Sequence, residues 1–312
     1  MAPWLHYSHA MPKNTQIAMS TPRLAALTAI ALCAFAGNSL LCRAALAHTS
    51  IDANTFTWLR LCSGALLLTL FGVVSKKRAT APKSTSAAPT RKTTAWYSAA
   101  SLWVYAAGFS WAYISMPAAT GALVLFGSVQ ITMTSWGLLR GERFAAIQWA
   151  GYLMAIAGLL WLLLPGASAP PLGSALLMAL AGVAWSAYSL FGQRATQPVM
   201  SSANNFRLSV LPATALLALT LLTNSAHIDP AGAGYALASG ALASGAGYAI
   251  WYRVLPNLGA TQAAALQLSV PIITAAAAVA LLGESVSAAL VISAVAVLGG
   301  IALVIKGRPK PP

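Results

Sequence analysis

Acidic side chains are nearly missing from this sequence: Asp52, Glu142, Asp229 and Glu284 are the whole set in 312 residues. Each lies at the edge of an apolar run. The chain therefore offers no paired carboxylates for acid–base chemistry, and no buried carboxylate for an intramembrane proton relay. Histidine is equally scarce, and His6, His9, His48 and His227 also fall outside the apolar runs. A nucleophile inside an apolar segment would thus have no base beside it, which argues against intramembrane hydrolysis or acyl transfer. Cys33, Cys42 and Cys62 lie in or near apolar stretches at no metal-ligating spacing, so buried free thiols, no metal and no cofactor are expected. Charged residues of either sign amount to 7%, against roughly 25% in a soluble domain.

What fills the chain instead is hydrocarbon. Hydrophobic residues make up 58% of the sequence and the mean hydropathy is +0.73. Apolar runs of about 18 residues or more can cross a bilayer as helices, because a helix satisfies its own backbone there. Barrel-type alternation is absent, so an all-α membrane protein is expected. Ten segments stand out, at residues 24–46, 53–75, 95–116, 118–139, 149–164, 172–193, 204–222, 231–254, 260–282 and 286–305. A basic stretch rich in Pro, Ser and Thr, residues 76–94, separates the second and third, and a Pro-rich joint at 167–171 follows the fifth. Residues 1–22 read as a tail. The run after it imitates a secretory leader ending at Ala45-Leu46-Ala47, but it is too long for a leader core and Arg43 precedes the site, so it is expected to stay.

The chain repeats itself. Residues 119–142, ATGALVLFGSVQITMTSWGLLRGE, return at 259–284 as GATQAAALQLSVPIITAAAAVALLGE. Thr120 aligns with Thr261 and Ser128 with Ser269 at one offset, and Glu142 aligns with Glu284 one residue later. Arg43 is echoed by Arg194, Arg60 by Arg207, and the Tyr113 to Pro117 step by Tyr252 to Pro256. Five helices per copy is an odd number, which forces opposite orientations. The expected architecture is therefore ten transmembrane helices as two inverted five-helix repeats, residues 23–166 and 167–306, with short tails at 1–22 and 307–312.

Basic residues give the orientation. The net charge is +14, and with the N-terminus inside, most Lys and Arg fall in inner loops: residues 76–92, Arg140, Arg143, Arg194, Arg253 and the end after Lys306. The opposite side holds Arg43 and, near it, Arg60. Positive residues favour the cytoplasm, so an inner (plasma) membrane location with both termini cytoplasmic is expected. The charge reports orientation rather than nucleic acid, since it sits between apolar runs.

These features together resemble the EamA branch of the drug/metabolite transporter superfamily. The likeness rests on ten segments in two repeats, an Arg early in the second helix of each half, and Leu-Leu followed by a Gly-Glu turn after the fourth. It implies an exporter or exchanger of small metabolites, amino acids among them, working by alternating access around a central cavity. The family's proline before the turn is present as Pro271, whereas Gln130 takes its place in the first half.

The resemblance further implies a cavity lined by the first, third, fourth, sixth, eighth and ninth segments. Polar and aromatic candidates there are Asn38, Tyr105, Trp111, Ser128, Gln130, Trp185, Tyr188, Tyr248, Trp251, Gln262 and Gln267. Their aromatic richness favours an aromatic or amphipathic substrate. Ser, Thr and Gln also serve as interhelical glue, and Trp and Tyr as interfacial belts, so both uses stay open for each residue. Arg60 and Arg207 are expected near boundaries, snorkelling as anchors or acting as gates. Glu142 and Glu284 are expected at helix starts, favoured by the N-terminal dipole. Small-residue stripes, Gly151, Ala155 and Gly158, and Ala296, Gly299 and Gly300, suit either folding or dimerisation, so a monomer or homodimer is compatible. A membrane enzyme or an accessory subunit are the alternatives; neither accounts for the repeat and the polar clusters.

Overall fold

The computed structural model describes residues 19–78, 92–164, 169–192, 197–254, 257–258 and 266–307. Among these residues there is no strand, and the helices form ten rods. In chain order they are α1 (Thr21–His48), α2 (Ala53–Arg78), α3 (Lys92–Tyr113), α4 (Ala118–Leu139), α5 (Ala146–Leu163), α6 (Leu172–Gly192) and α7 (Pro198–Leu222). The eighth rod, α8, is continuous through Pro230–Ala238, a π-helical stretch Ser239–Ala246, and Gly247–Val254. After it come α9 (Ser269–Leu282) and α10 (Ala288–Lys306). Seven rods, α1, α2, α4, α5, α6, α7 and α10, are long and apolar enough to cross a membrane; α9 is apolar but shorter.

Local chemistry sets the ends. Asp229 accepts a hydrogen bond from Gly232 N at 2.9 Å, with Pro230 in the first turn, so α8 begins on a cap that uses an otherwise orphaned donor. Ser287 caps α10 in the same way through Leu290 N at 3.1 Å. The Gly-Glu turns close α4 and α9 rather than opening a helix. Gly141 has φ +92° and Gly283 φ +65°, the left-handed region in which a side chain would be strained.

Pro271 explains why the second copy of the repeat departs from the first. It lacks an N–H, and its ring crowds the carbonyl four residues earlier, that of Gln267. The helix is interrupted at Leu268 and regular only from Ser269, whereas α4, with Gln130 at the matching position, is unbroken over 22 residues. The expected earlier turns of this segment, residues 260–265, lie outside the described residues. The start of α7 comes earlier than the apolar run, at Pro198, because proline is tolerated at the first helical position.

Packing pairs the rods closely. Each half lends helices to the other: α2 lies on α7, α3 and α4 on α6, α1 on α8 and α9, and α5 on α10. The last pair uses both small-residue stripes. A Cβ on Gly151 would strike Gly300 O, one on Gly300 would strike Gly151 O, and one on Gly158 would come within 2.7 Å of Ala296 Cβ. These glycines let two backbones touch inside one chain. Cys42 is buried as expected, but Cys33 faces outward on α1 and Cys62 is half-buried.

Candidate functional site

A buried arginine anchors the interior. Arg60 on α2 is 2% exposed, among the largest fully buried side chains. Its Nη2 donates to Tyr105 Oη at 3.0 Å, and its Cζ lies 5.1 Å from the Tyr105 ring centre and 4.9 Å from that of Phe109. The expectation of a snorkelling residue fails here, because α2 turns this side chain toward α3 instead of toward the boundary. Arg207, its echo on α7, is exposed.

Polar contacts extend from the same point. Asn38 Nδ2 on α1 donates to Tyr105 Oη at 3.2 Å, and Ser239 Oγ, first residue of the π-helical stretch, donates to Asn38 Oδ1 at 2.7 Å. Four rods, α1, α2, α3 and α8, thereby share one network. By residue count these atoms lie about 10–15 Å below the nearest helix ends, at about 1.5 Å per residue. Close approach of α8 and α2 is enforced by Gly240, where a Cβ would collide with Arg60 O and Ser63 Oγ. A widened π-helical turn at such a place is a common feature of functional sites.

Aromatic rings continue the cluster. Trp185 on α6 stands 4.8 Å from Tyr105, 5.4 Å from Tyr188 and 5.3 Å from Tyr248, centre to centre. Tyr248 in turn meets Phe35 at 5.9 Å and Phe206 at 6.0 Å, and Phe35 meets Trp251 at 5.7 Å. Tyr188 Oη and Ser202 Oγ are 3.0 Å apart, and Ser202 donates to Tyr252 Oη at 3.5 Å.

Six expected site residues are thus brought together: Asn38, Tyr105, Trp185, Tyr188, Tyr248 and Trp251. Others stand apart from these ring contacts. Ser128 abuts α6 at Gly182, Gln130 and Gln267 are half-buried on α4 and just before α9, and Gln262 lies outside the described residues. Trp111 is 44% exposed and donates to Asn54 Oδ1 at 2.9 Å, on a groove of about 550 Å³ formed by the ends of α1, α2, α3 and α7. Sequence reading did not place Phe35, Phe109, Phe206, Ser239 or Tyr252 in the site. Arg60 was expected as an anchor or a gate near a boundary, and what the sequence did not convey is its burial among the rings of this cluster.

One rim of the bundle is tied electrostatically. Glu284 accepts from Ala118 N at 3.0 and 2.8 Å through its two oxygens, and from Arg43 Nε at 3.3 Å. Arg43 Nη1 also donates to Tyr113 O and Ile114 O, both at 3.0 Å. The carboxylate does meet an N-terminal dipole, but that of α4 from the other half rather than of the helix following it. Glu142 is exposed beside Gly137, at the C-terminal end of α4. Nearby on the rim, the backbone N–H of Gly232, together with Thr49 and Ser50, holds the Asp229 carboxyl below its usual range.

Comparisons with known proteins agree with this picture. The model of the EamA-like transporter family matches residues 172–306. An uncharacterized protein of Pseudomonas aeruginosa is 51% identical over 292 residues, spanning 93% of this chain and 97% of its own. The chain belongs to the EamA-like transporter family. A protein of known crystal structure matches 91% of this EamA-like chain and 99% of its own with a TM-score of 0.61. Identity there is 20%, so that likeness speaks to the fold alone. As a member of a transporter family with several apolar helices, the EamA-like chain is an integral membrane protein with a small-molecule substrate.

Proposed function

We propose that this EamA-like protein exports or exchanges small metabolites, aromatic amino acids among them, by alternating access around the Tyr105–Trp185–Tyr248 cluster. The observation that carries this reading is the convergence from four separate rods of Asn38, Tyr105, Tyr188, Tyr248 and Trp251, all buried, around the partly buried Trp185. Rings stack on a flat substrate, and polar tips orient it. Replacing Tyr105 or Trp185 by Ala is expected to lower aromatic amino-acid exchange in proteoliposomes at least about tenfold, as loss of a stacking pair and its buried area would. Unchanged exchange by a normally inserted variant would refute it.

The architecture we propose is ten transmembrane helices as inverted repeats, 23–166 and 167–306, in the inner membrane with both termini cytoplasmic. Supporting it, contacts respect a two-fold: α2 meets its counterpart α7, α5 meets α10, and α3 with α6 mirrors α8 with α1. Both turn glycines share the left-handed conformation. In this scheme Gln130, Ser128, Gln262 and Gln267 line the path in another state of the cycle, Trp111 faces a mouth, and Arg207, Glu142 and Pro271 serve gating or helix geometry. Transport runs down the substrate's own gradient or by exchange. Uphill uptake driven by an imposed pH gradient and dependent on Glu142 or Glu284 would contradict that.

A further inference from the structure

Among the described residues Arg60 has no counter-charge. Its Nε and Nη1 are buried there without any hydrogen-bond partner, while Tyr105 satisfies only Nη2. Rings of Tyr105 and Phe109 cover the guanidinium, and this offsets part of the cost of burial but leaves the planar donor edge unmatched. The four side-chain carboxylates of the sequence all lie elsewhere. Asp52 accepts from Asn54 N, Thr55 and His227 N, Asp229 from Ser50 and Gly232, and Glu284 from Arg43 and Ala118, while Glu142 is exposed at the end of α4. A buried cation without an anion is expensive, by several kcal/mol in ordinary protein interiors.

We propose that Arg60 is the anion-recognition residue of the central site, and that it receives the carboxylate of a small organic acid whose ring lies on the Tyr105–Trp185–Tyr248 cluster. The proposal rests on the transport reading above and deepens it by naming the group that is recognised. A planar carboxylate matches the planar guanidinium edge. A dianionic phosphate would meet only one positive charge, since among the described residues no other Lys or Arg is buried. An α-ammonium has no carboxylate to meet, so it is accepted only through rings and hydroxyls and is not required.

The test uses the purified full chain in nanodiscs, with calorimetric titration of four probes: tryptophan, indole-3-propionate, tryptamine and phenyl phosphate. Tryptophan and indole-3-propionate are expected to bind, and tryptamine and phenyl phosphate at least about tenfold more weakly, as loss or mismatch of a charge-assisted pair dictates. Arg60→Gln should abolish that preference and Arg60→Lys should retain part of it. Because Arg60→Gln can fail to fold, the wild-type series decides by itself. Tryptamine or phenyl phosphate binding as tightly as indole-3-propionate would overturn the proposal, as would a monodisperse Arg60→Gln protein with unchanged preference, or no binding of either acid. Counterflow of tryptamine by the same protein would sink the role of Arg60 and leave the transport reading standing.

Discussion

Arg60 and Arg207 occupy equivalent places in the repeated sequence, yet one is enclosed by aromatic rings and the other is exposed. Hydropathy conveys the cost of placing an arginine in an apolar run but not the direction in which the helix turns it. Helices apolar all round carry little information on their facing side, which neighbours decide. Five of the six aromatic candidates, Tyr105, Trp185, Tyr188, Tyr248 and Trp251, do meet in the interior, whereas Trp111 lies on a groove at the helix ends, a difference that depends on which way each helix faces. Glu284 was only half legible: a carboxylate near a helix dipole follows from its turn, while the identity of that helix, α4, depends on tertiary packing. Glu284→Gln should cost about 1–2 kcal/mol through the charged cap and ion pair, read as a lower unfolding midpoint in detergent. Its effect should shrink when Arg43 is already Gln, the signature of a coupled pair. Asp229 predicts a pH effect. Its folded carboxyl titrates below the ordinary value of 3.8, so its contribution is complete above that value and fades as pH falls through the lower one. Acid titration of unfolding should show this component in the wild type and lack it in Asp229→Asn.

At the level of elements, ten rods could be marked from apolar runs, and their ends were set by details the runs do not contain. Proline at position 198 extended α7 outward, and Pro271 delayed the regular part of α9. The glycine stripes were visible in the sequence, but two stripes facing each other within one chain and two copies pairing across a dimer look alike until the partner is known. Substitutions separate the glycines in contact from the free one. Gly151→Leu or Gly300→Val should destabilise the protein by about 1–3 kcal/mol through overpacking of α5 against α10. Among the described residues a Cβ on Gly299 would meet only Met154 Cε, at 3.4 Å, and Gly299→Ala should stay within about 0.5 kcal/mol. Monodisperse yield and thermal midpoint of the three variants check this. Gly240→Ala is a sharper probe, since it separates α8 from α2 at the level of Arg60. It should weaken substrate binding as well as stability.

For the whole molecule, a family of transporters and an all-helical bundle support transport of a small molecule across the membrane, and the buried cluster of rings with one arginine is where the proposed acid would be held. In the proposed reading, the repeated sequence and the basic inner loops frame an interior that alternating access would open to each face in turn. Counterflow in proteoliposomes addresses that claim most directly. Vesicles preloaded with unlabelled tryptophan and holding the wild-type protein should transiently accumulate labelled tryptophan above the outside concentration, and Trp185→Ala vesicles should not. Absence of counterflow across a panel of aromatic and other amino acids, from protein shown to be folded and inserted, would contradict the account.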